Sequence, residues 1–141
     1  MRFAVISIKP QYVEAIVEGQ KVYELRRRRL NLDQGDLLII YQTSPEKKVT
    51  ASAELEKIIE CDIDTLWEKV GARSAVSFEI FTNYFKGCAN GYALQLKNVK
   101  PYKNPLSLDD LRSHMPKYTP PQFFHYLDEG HPLYACLTES F

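Results

Sequence analysis

Pro10 and Gly19 bracket the segment that most constrains the fold of this chain. Ahead of them, Phe3 to Ile8 is a short apolar run that reads as a buried strand, and Pro10 suits the first turn of a helix. Between them, Tyr12, Val13, Ile16 and Val17 recur on one helical face, and Gly19 stands where a left-handed C-terminal cap belongs. The glycine therefore ends the helix and releases "QKVYELRRR" as a second strand.

The same reading carries along the chain. "LDQGD" has turn chemistry, and "LLIIY" after it is a continuous apolar run of the kind covered on both faces. Past the polar loop "TSPEKK", Val49, Ala51, Ala53 and Leu55 alternate with Thr50, Ser52 and Glu54, the period of a two-faced strand. Asp62 is a fitting N-cap for a helix over Ile63 to Val70. Phe78, Phe81, Tyr84 and Phe85 line one side of a second helix ending at Gly87, a stripe assigned to the core. Tyr92, Leu94 and Leu96 alternate in a further strand. From Pro101 onward, six prolines predict loops, interrupted by a short helix signalled by the capping box of Ser107 and Asp110, with a last strand in "PLYACL". The order β-α-β-β-β-α-α-β favours an α+β fold over a doubly wound parallel sheet, and a small mixed β-barrel with flanking helices fits it best.

A length of 141 residues, 45% hydrophobic and 12% aromatic, supports one compact core. The expectation is a single domain over 1–141 with a Pro-rich C-terminal extension from about 101. No apolar run approaches the ~20 residues of a bilayer span, and Met1 to Ile8 is too short for the apolar part of a signal peptide. The expected setting is the cytoplasm, with no membrane contact. Cys61, Cys88 and Cys136 are odd in number and widely spaced, which suits reduced thiols, and His114, His125 and His131 lack ligand spacing. No metal and no cofactor are expected.

Within this near-neutral chain, "GQKVYELRRRR" (residues 19–29) carries a net charge of +4, so the other 130 residues sum to −4. Basicity gathered in one place points to one anion-facing surface. In a strand, Tyr23, Leu25 and Arg27 share one face and Val22, Glu24, Arg26 and Arg28 the other, neighbours on a face lying ~7 Å apart. An Arg/Glu/Arg row of this kind suits a phosphate or a nucleobase edge, with Lys21 adding a point charge. The competing reading is a solvated edge whose arginines block aggregation.

"SIKPQYVEAIVEGQKVYELRRR", "GDLLIIYQTSP" and "GYALQL" together resemble the ASCH domain family, of PUA-like fold, over about Phe3 to Val99. "PPQFFHYL" (120–127) resembles a Pro-Pro-Gln segment of its small stand-alone members. The resemblance implies a PUA-like barrel of five to six strands whose cleft, beside the first helix and second strand, faces RNA or a modified nucleoside. One branch consists of acetylcytidine amidohydrolases built on a lysine after the helix-ending glycine, a threonine three residues on, and a later glutamate. Lys21 matches the lysine, but Glu24 replaces the threonine and the region 71–79 offers no clear glutamate, which removes that branch's obvious nucleophile. Other members resemble single-strand ribonucleases using a Tyr, a Lys and a Ser, for which this chain offers Tyr41, Lys21 and Ser44, although ordinary turn chemistry favours Ser44 as a loop cap and Tyr41 as a barrel-wall aromatic.

The leading expectation is a module that binds single-stranded RNA, or a modified nucleoside, in a cleft of Lys9, Lys21, Glu24, Arg26, Arg28, Tyr41 and Ser44. The alternative is a ribonuclease-like or amidohydrolase-like enzyme with Lys21, Glu24 and Tyr41 as its reactive groups. A third reading gives the aromatic, Pro-rich C-terminal segment a protein partner, lost on truncation near Pro116 while nucleic-acid binding survives.

Overall fold

A computed structural model describes residues 2–139, so the expected domain bounds at 1 and 141 lie outside the described residues. The element order is β1 (Phe3–Ile8), α1 (Pro10–Val17), β2 (Tyr23–Arg26), β3 (Leu37–Gln42), β4 (Lys48–Asp62), α2 (Ile63–Val70), a 3-10 turn (Gly71–Arg73), α3 (Phe78–Tyr84), β5 (Asn90–Ser107), α4 (Leu108–His114), β6 (Phe124–Leu127) and α5 (Tyr134–Thr138). All six strands join one mixed sheet in the order β2-β5-β4-β3-β1-β6. β1 and β3 run parallel, and every other pairing is antiparallel. The fold is thus α+β, as expected. No described helix is long and apolar enough to cross a membrane.

Sequence periodicity explains how the sheet is covered. β1 sends Ala4, Ile6 and Ile8 into one core with Val13 and Ile16 of α1. Its Val5 faces a second core with Tyr118, Leu127, Leu133 and Leu137 of the C-terminal segment. A strand sandwiched this way must be apolar on both faces, which is why its sequence shows no alternation. A third core joins Leu25 of β2 and Ala93 of β5 to Leu66, Val70, Phe81 and Phe85. In β4 the period slips at Thr50: Ile40 pairs with Ala51 but Tyr41 pairs with Val49. The bulge turns Val49 into the second core and leaves Ala51, Ala53 and Leu55 in the first.

Several local expectations hold. Pro10 opens α1, Asp62 caps α2 through the Thr65 N–H, and Ser107 and Asp110 form the capping box of α4. Others fail for identifiable reasons. The aromatic stripe of α3 is only partly core, since Phe81 and Phe85 are buried while Phe78 is 55% exposed. β5 runs on through Pro101 to Ser107, where loops were expected. Its ladder to β4 jumps from Pro101 opposite Ala51 to Leu106 opposite Val49, so Pro105 falls in a stretch with no β4 partner and its missing N–H is harmless. "PLYACL" ends in a helix, with Leu133 and Leu137 stacked four apart on the second core. "FHYL", within a stretch read as loop, is the edge strand β6 against β1. The sheet is also not closed: β2 and β6 are its two edges, with no ladder joining them.

Candidate functional site

The gap left by the unclosed barrel is where the charged residues converge. β2 and β1 stand four places apart in the sheet order. Yet Nη2 of Arg26 on β2 donates to the Ser7 carbonyl of β1 at 2.9 Å. The sheet must curl far enough to bring these strands face to face, and a side chain spans the seam that backbone pairing leaves open.

The approach to this seam is set by the end of α1. Gly19 adopts φ +84, and the N–H groups of Gln20 and Lys21 both donate to the Ala15 carbonyl at 3.0 Å. The positive φ, cheap only for glycine, turns the chain so that Lys21 points inward. Its side chain is 1% exposed. Nζ donates to the Ser74 carbonyl at 2.6 Å, lies 3.8 Å from Oε1 of Glu24 and sits 4.7 Å from the centroid of the Tyr12 ring. Oε2 of Glu24 in turn accepts from Nη2 of Arg26 at 2.8 Å. Two cations therefore share one anion in a buried row. The Nε of Arg26 is enclosed and has no hydrogen-bond partner. Burial pushes the Lys21 ammonium below its usual range, with Glu24 opposing that shift and Arg26 adding to it.

Above the row opens a cleft of about 600 Å³. One wall is α3, whose Ile80, Asn83 and Tyr84 face inward and whose Tyr84 hydroxyl donates to the Leu25 carbonyl at 3.2 Å. Burial raises the Tyr84 phenol. The segment 121–123 forms another wall, tied to β1 by the Ser7 hydroxyl donating to the Pro121 carbonyl at 2.7 Å and by the Ser7 N–H on Phe123 at 3.3 Å. Gln122 then faces the cleft, as do Tyr12 of α1 and Thr43 past the end of β3. The side chains of Thr43, Asn83 and Gln122 make no hydrogen bond to any described residue, so a polar ligand meets free donors and acceptors. Among the described residues, no cluster of three His, Cys, Asp or Glu is placed to hold a metal ion.

Of the residues singled out from sequence, Lys9, Lys21, Glu24 and Arg26 meet at this cleft. Three do not. Tyr41 points to the opposite face of the sheet, 4% exposed in the second core, because β3 alternates and its inward neighbours Leu38 and Ile40 occupy the first. Its phenol is raised by burial, with Arg112 opposing. Ser44 is exposed in the loop, and its neighbour Thr43 takes the place at the cleft. Arg28 lies beyond β2, which ends at Arg26, so strand alternation no longer orients it. It is exposed, with its guanidinium carbon 5.9 Å from the centroid of the Phe123 ring. Sequence reasoning missed Ser7, Tyr12, Asn83, Tyr84 and Gln122 as cleft residues. Tyr12 read as helix core and Tyr84 as part of an aromatic stripe, and only the curl of the sheet turns them toward Lys21.

The ASCH domain family model matches residues 6–108. A protein of Zymomonas mobilis subsp. mobilis named ASCH domain-containing ribonuclease is 36% identical over 124 residues, which covers 88% of this chain and 83% of its own. The crystal structure of ASCH from Zymomonas mobilis, at 34% identity, gives a TM-score of 0.85 over 91% of this chain and 89% of that one. The N-terminal domain of Staphylothermus marinus McrB shares the fold at 13% identity, with a TM-score of 0.57 over 90% and 88% of the two chains.

Proposed function

The chain belongs to the ASCH domain family, and on that premise we propose that its cleft binds single-stranded RNA, admitting one nucleotide to the buried Lys21–Glu24–Arg26 row. The observation that carries this reading is the excess of buried positive charge. Lys21 and Arg26 share the single carboxylate of Glu24, and the Arg26 Nε is left without a partner. The enclosed Nε is beyond a ligand's reach, but two cations on one carboxylate leave a positive charge that a phosphate or a base carbonyl in the cleft would balance. Apolar Ile8, Leu25, Val76 and Ile80 offer surface for a base, while the free groups of Thr43, Asn83 and Gln122 can meet its polar edge. The cleft volume is of the size that takes a single small ligand. The name of the Zymomonas relative supports RNA as the ligand. A cytoplasmic setting belongs to the same proposal, in keeping with three unpaired cysteines.

A fluorescence titration with single-stranded RNA and with the same sequence in duplex form tests this. Tighter binding of the single strand is expected, weakening with salt at a log–log slope of about −0.7 per phosphate contacted. Arg26→Gln should lower the affinity about tenfold or more. Equal affinity for the duplex, or full affinity in both Arg26→Gln and Lys21→Met, overturns the reading.

A second reading, RNA cleavage, has one observation in its favour: burial brings the Lys21 ammonium closer to releasing its proton beside Glu24. Metal-free cleavage would attack phosphorus with the ribose 2′-hydroxyl and expel the 5′-oxygen, requiring one group to take a proton and another to give one. Tyr12, not Tyr41, is the phenol beside Lys21. The acetylcytidine amidohydrolase alternative loses ground, since Glu24 stands where a hydroxyl is needed and Glu79 is exposed outside the cleft. The titration mixtures, assayed for 2′,3′-cyclic phosphate ends, separate binding from turnover. Product that disappears in Lys21→Ala identifies an enzyme, and intact RNA a binding module.

A further inference from the structure

Of the four consecutive arginines, three have an assigned place. Arg26 pairs with Glu24, Arg27 lies 5.0 Å from the centroid of the Tyr84 ring, and Arg29 reaches Glu60 at 3.4 Å. Arg28 is exposed and has no carboxylate partner among the described residues, and the ring beside it, Phe123, is itself 41% exposed. The two adjoining aromatics behave differently. Phe124 turns inward, packs edge-on to Tyr126 at 5.4 Å and lies against the first core, while Phe123 is left outside. Phe123 directly follows Gln122 of the cleft wall, so its Cα lies ~3.8 Å from that of a cleft residue. Its backbone is fixed by the Ser7 N–H at 3.3 Å, on the same residue whose carbonyl holds Arg26. An exposed ring on a pinned backbone, bordering a cleft and flanked by an uncommitted guanidinium, has the two components of a single-strand subsite: a stacking face and a phosphate partner.

We propose that Phe123 and Arg28 form a second nucleotide subsite, in which the base next to the one in the cleft stacks on the Phe123 ring and the linking phosphate pairs with Arg28. This rests on the RNA-binding reading of the cleft and extends it from one nucleotide to two. It also gives the basic run a division of labour, with Arg26 serving the cleft and Arg28 its exit. The other exposed aromatic near the cleft, Phe78, leans on Trp67 at 5.3 Å between ring centroids.

The test is a length series. Oligoadenylates and oligouridylates of one to four residues, 2′-O-methylated to block cleavage, compete against a fluorescein-labelled single-stranded RNA. In the wild-type protein the second residue is expected to tighten binding about tenfold, the scale of one stacked base. In Phe123→Ala that gain should fall below about twofold, and Phe123→Tyr, which keeps a ring, should restore it. Arg28→Gln should reduce the dinucleotide's log-salt slope by about 0.7. A gain from the second residue that is the same in Phe123→Ala as in wild type overturns the subsite. If Arg26→Gln weakens every length while Phe123→Ala keeps the full gain, the cleft reading stands and the subsite alone falls. If no oligonucleotide competes with the wild-type protein at any length, both fall together.

Discussion

Glu24 shows how much one side chain can organise. Its two oxygens face Lys21 at 3.8 Å and Arg26 at 2.8 Å, and all three side chains are at most 10% exposed. Without Glu24 the two guanidinium and ammonium charges would confront each other in a low-dielectric seam. Breaking a buried pair by removing one partner costs about 3–5 kcal/mol. Glu24→Ala is therefore expected to destabilise the protein by about 3 kcal/mol in a urea titration, whereas Arg28→Ala, on an exposed side chain, should stay within about 0.5 kcal/mol. Similar losses in the two variants would mean that the row is solvated and that its burial has no energetic weight. The same contrast separates the two halves of the basic run: the sequence presents four equivalent arginines, and burial divides them.

Among the elements, β6 and the turn leading to α5 carry a paired-histidine device. The His125 and His131 rings stack at 5.3 Å with 14° between planes. Nε2 of His125 accepts from the Tyr118 hydroxyl at 2.7 Å when Nδ1 carries the proton that bonds the Tyr126 carbonyl at 2.9 Å, and Nδ1 of His131 accepts from the Leu133 N–H at 3.1 Å. A backbone N–H can only donate, so the contact with Leu133 keeps Nδ1 of His131 unprotonated in this arrangement. Burial holds His131 below its ordinary value of 6.5, the neighbouring His125 adding to the shift and Asp128 opposing it. As pH falls below about 6.5, the unfolded chain takes up a proton that the folded one resists, so this contribution to stability is complete above that pH and is lost on the way down through the folded pKa. Thermal melts from pH 7.5 to 5 should show a falling midpoint, with a smaller fall in His131→Asn, whose amide oxygen can keep the Leu133 contact. An identical pH profile in the variant would remove His131 from the effect.

At the scale of the whole molecule, the C-terminal segment is structural. Tyr118, Leu127, Leu133 and Leu137 cover Val5, Ile39, Tyr41 and Val49, and the Tyr102 hydroxyl donates to the Leu137 carbonyl at 2.7 Å. The three leucines alone bury about 5–9 kcal/mol of transfer free energy, comparable to the entire margin of a small protein. Truncation after residue 115, expected from sequence to spare nucleic-acid binding, should instead abolish the cooperative melt followed by circular dichroism. A truncated protein with a sharp transition near the wild-type midpoint would restore the reading of the tail as a separable cover. The segment also supplies Gln122 to the cleft, so its loss would remove part of the cleft wall.

How much of this was legible in the sequence depends on how local the signal is. Pro10, Gly19, Asp62 and the Ser107/Asp110 box mark their helix ends correctly because caps depend on neighbours within a few residues. The four residues singled out from sequence that line the cleft, Lys9, Lys21, Glu24 and Arg26, sit within eighteen positions of one another on a strand–helix–strand unit whose turns are coded locally. β6, α5 and the continuation of β5 past Pro101 carry no such local code. Their short apolar runs fit strand or helix equally, and only the uncovered second face of the sheet selects between them. Tyr41 sits in the second core as a wall aromatic and away from the cleft, because period-two alternation says that neighbours face apart without saying which face borders the cleft. By itself the sequence determined the helix ends, the α+β class and the gathering of charge between Lys21 and Arg29. The tertiary structure alone decided that the barrel stays open between the edges β2 and β6, that Arg26 reaches across to β1, and that α3 and Gln122 become walls of the cleft. Those outcomes rest on the cumulative twist and bulging of six strands, a property of the whole sheet that no window of residues contains.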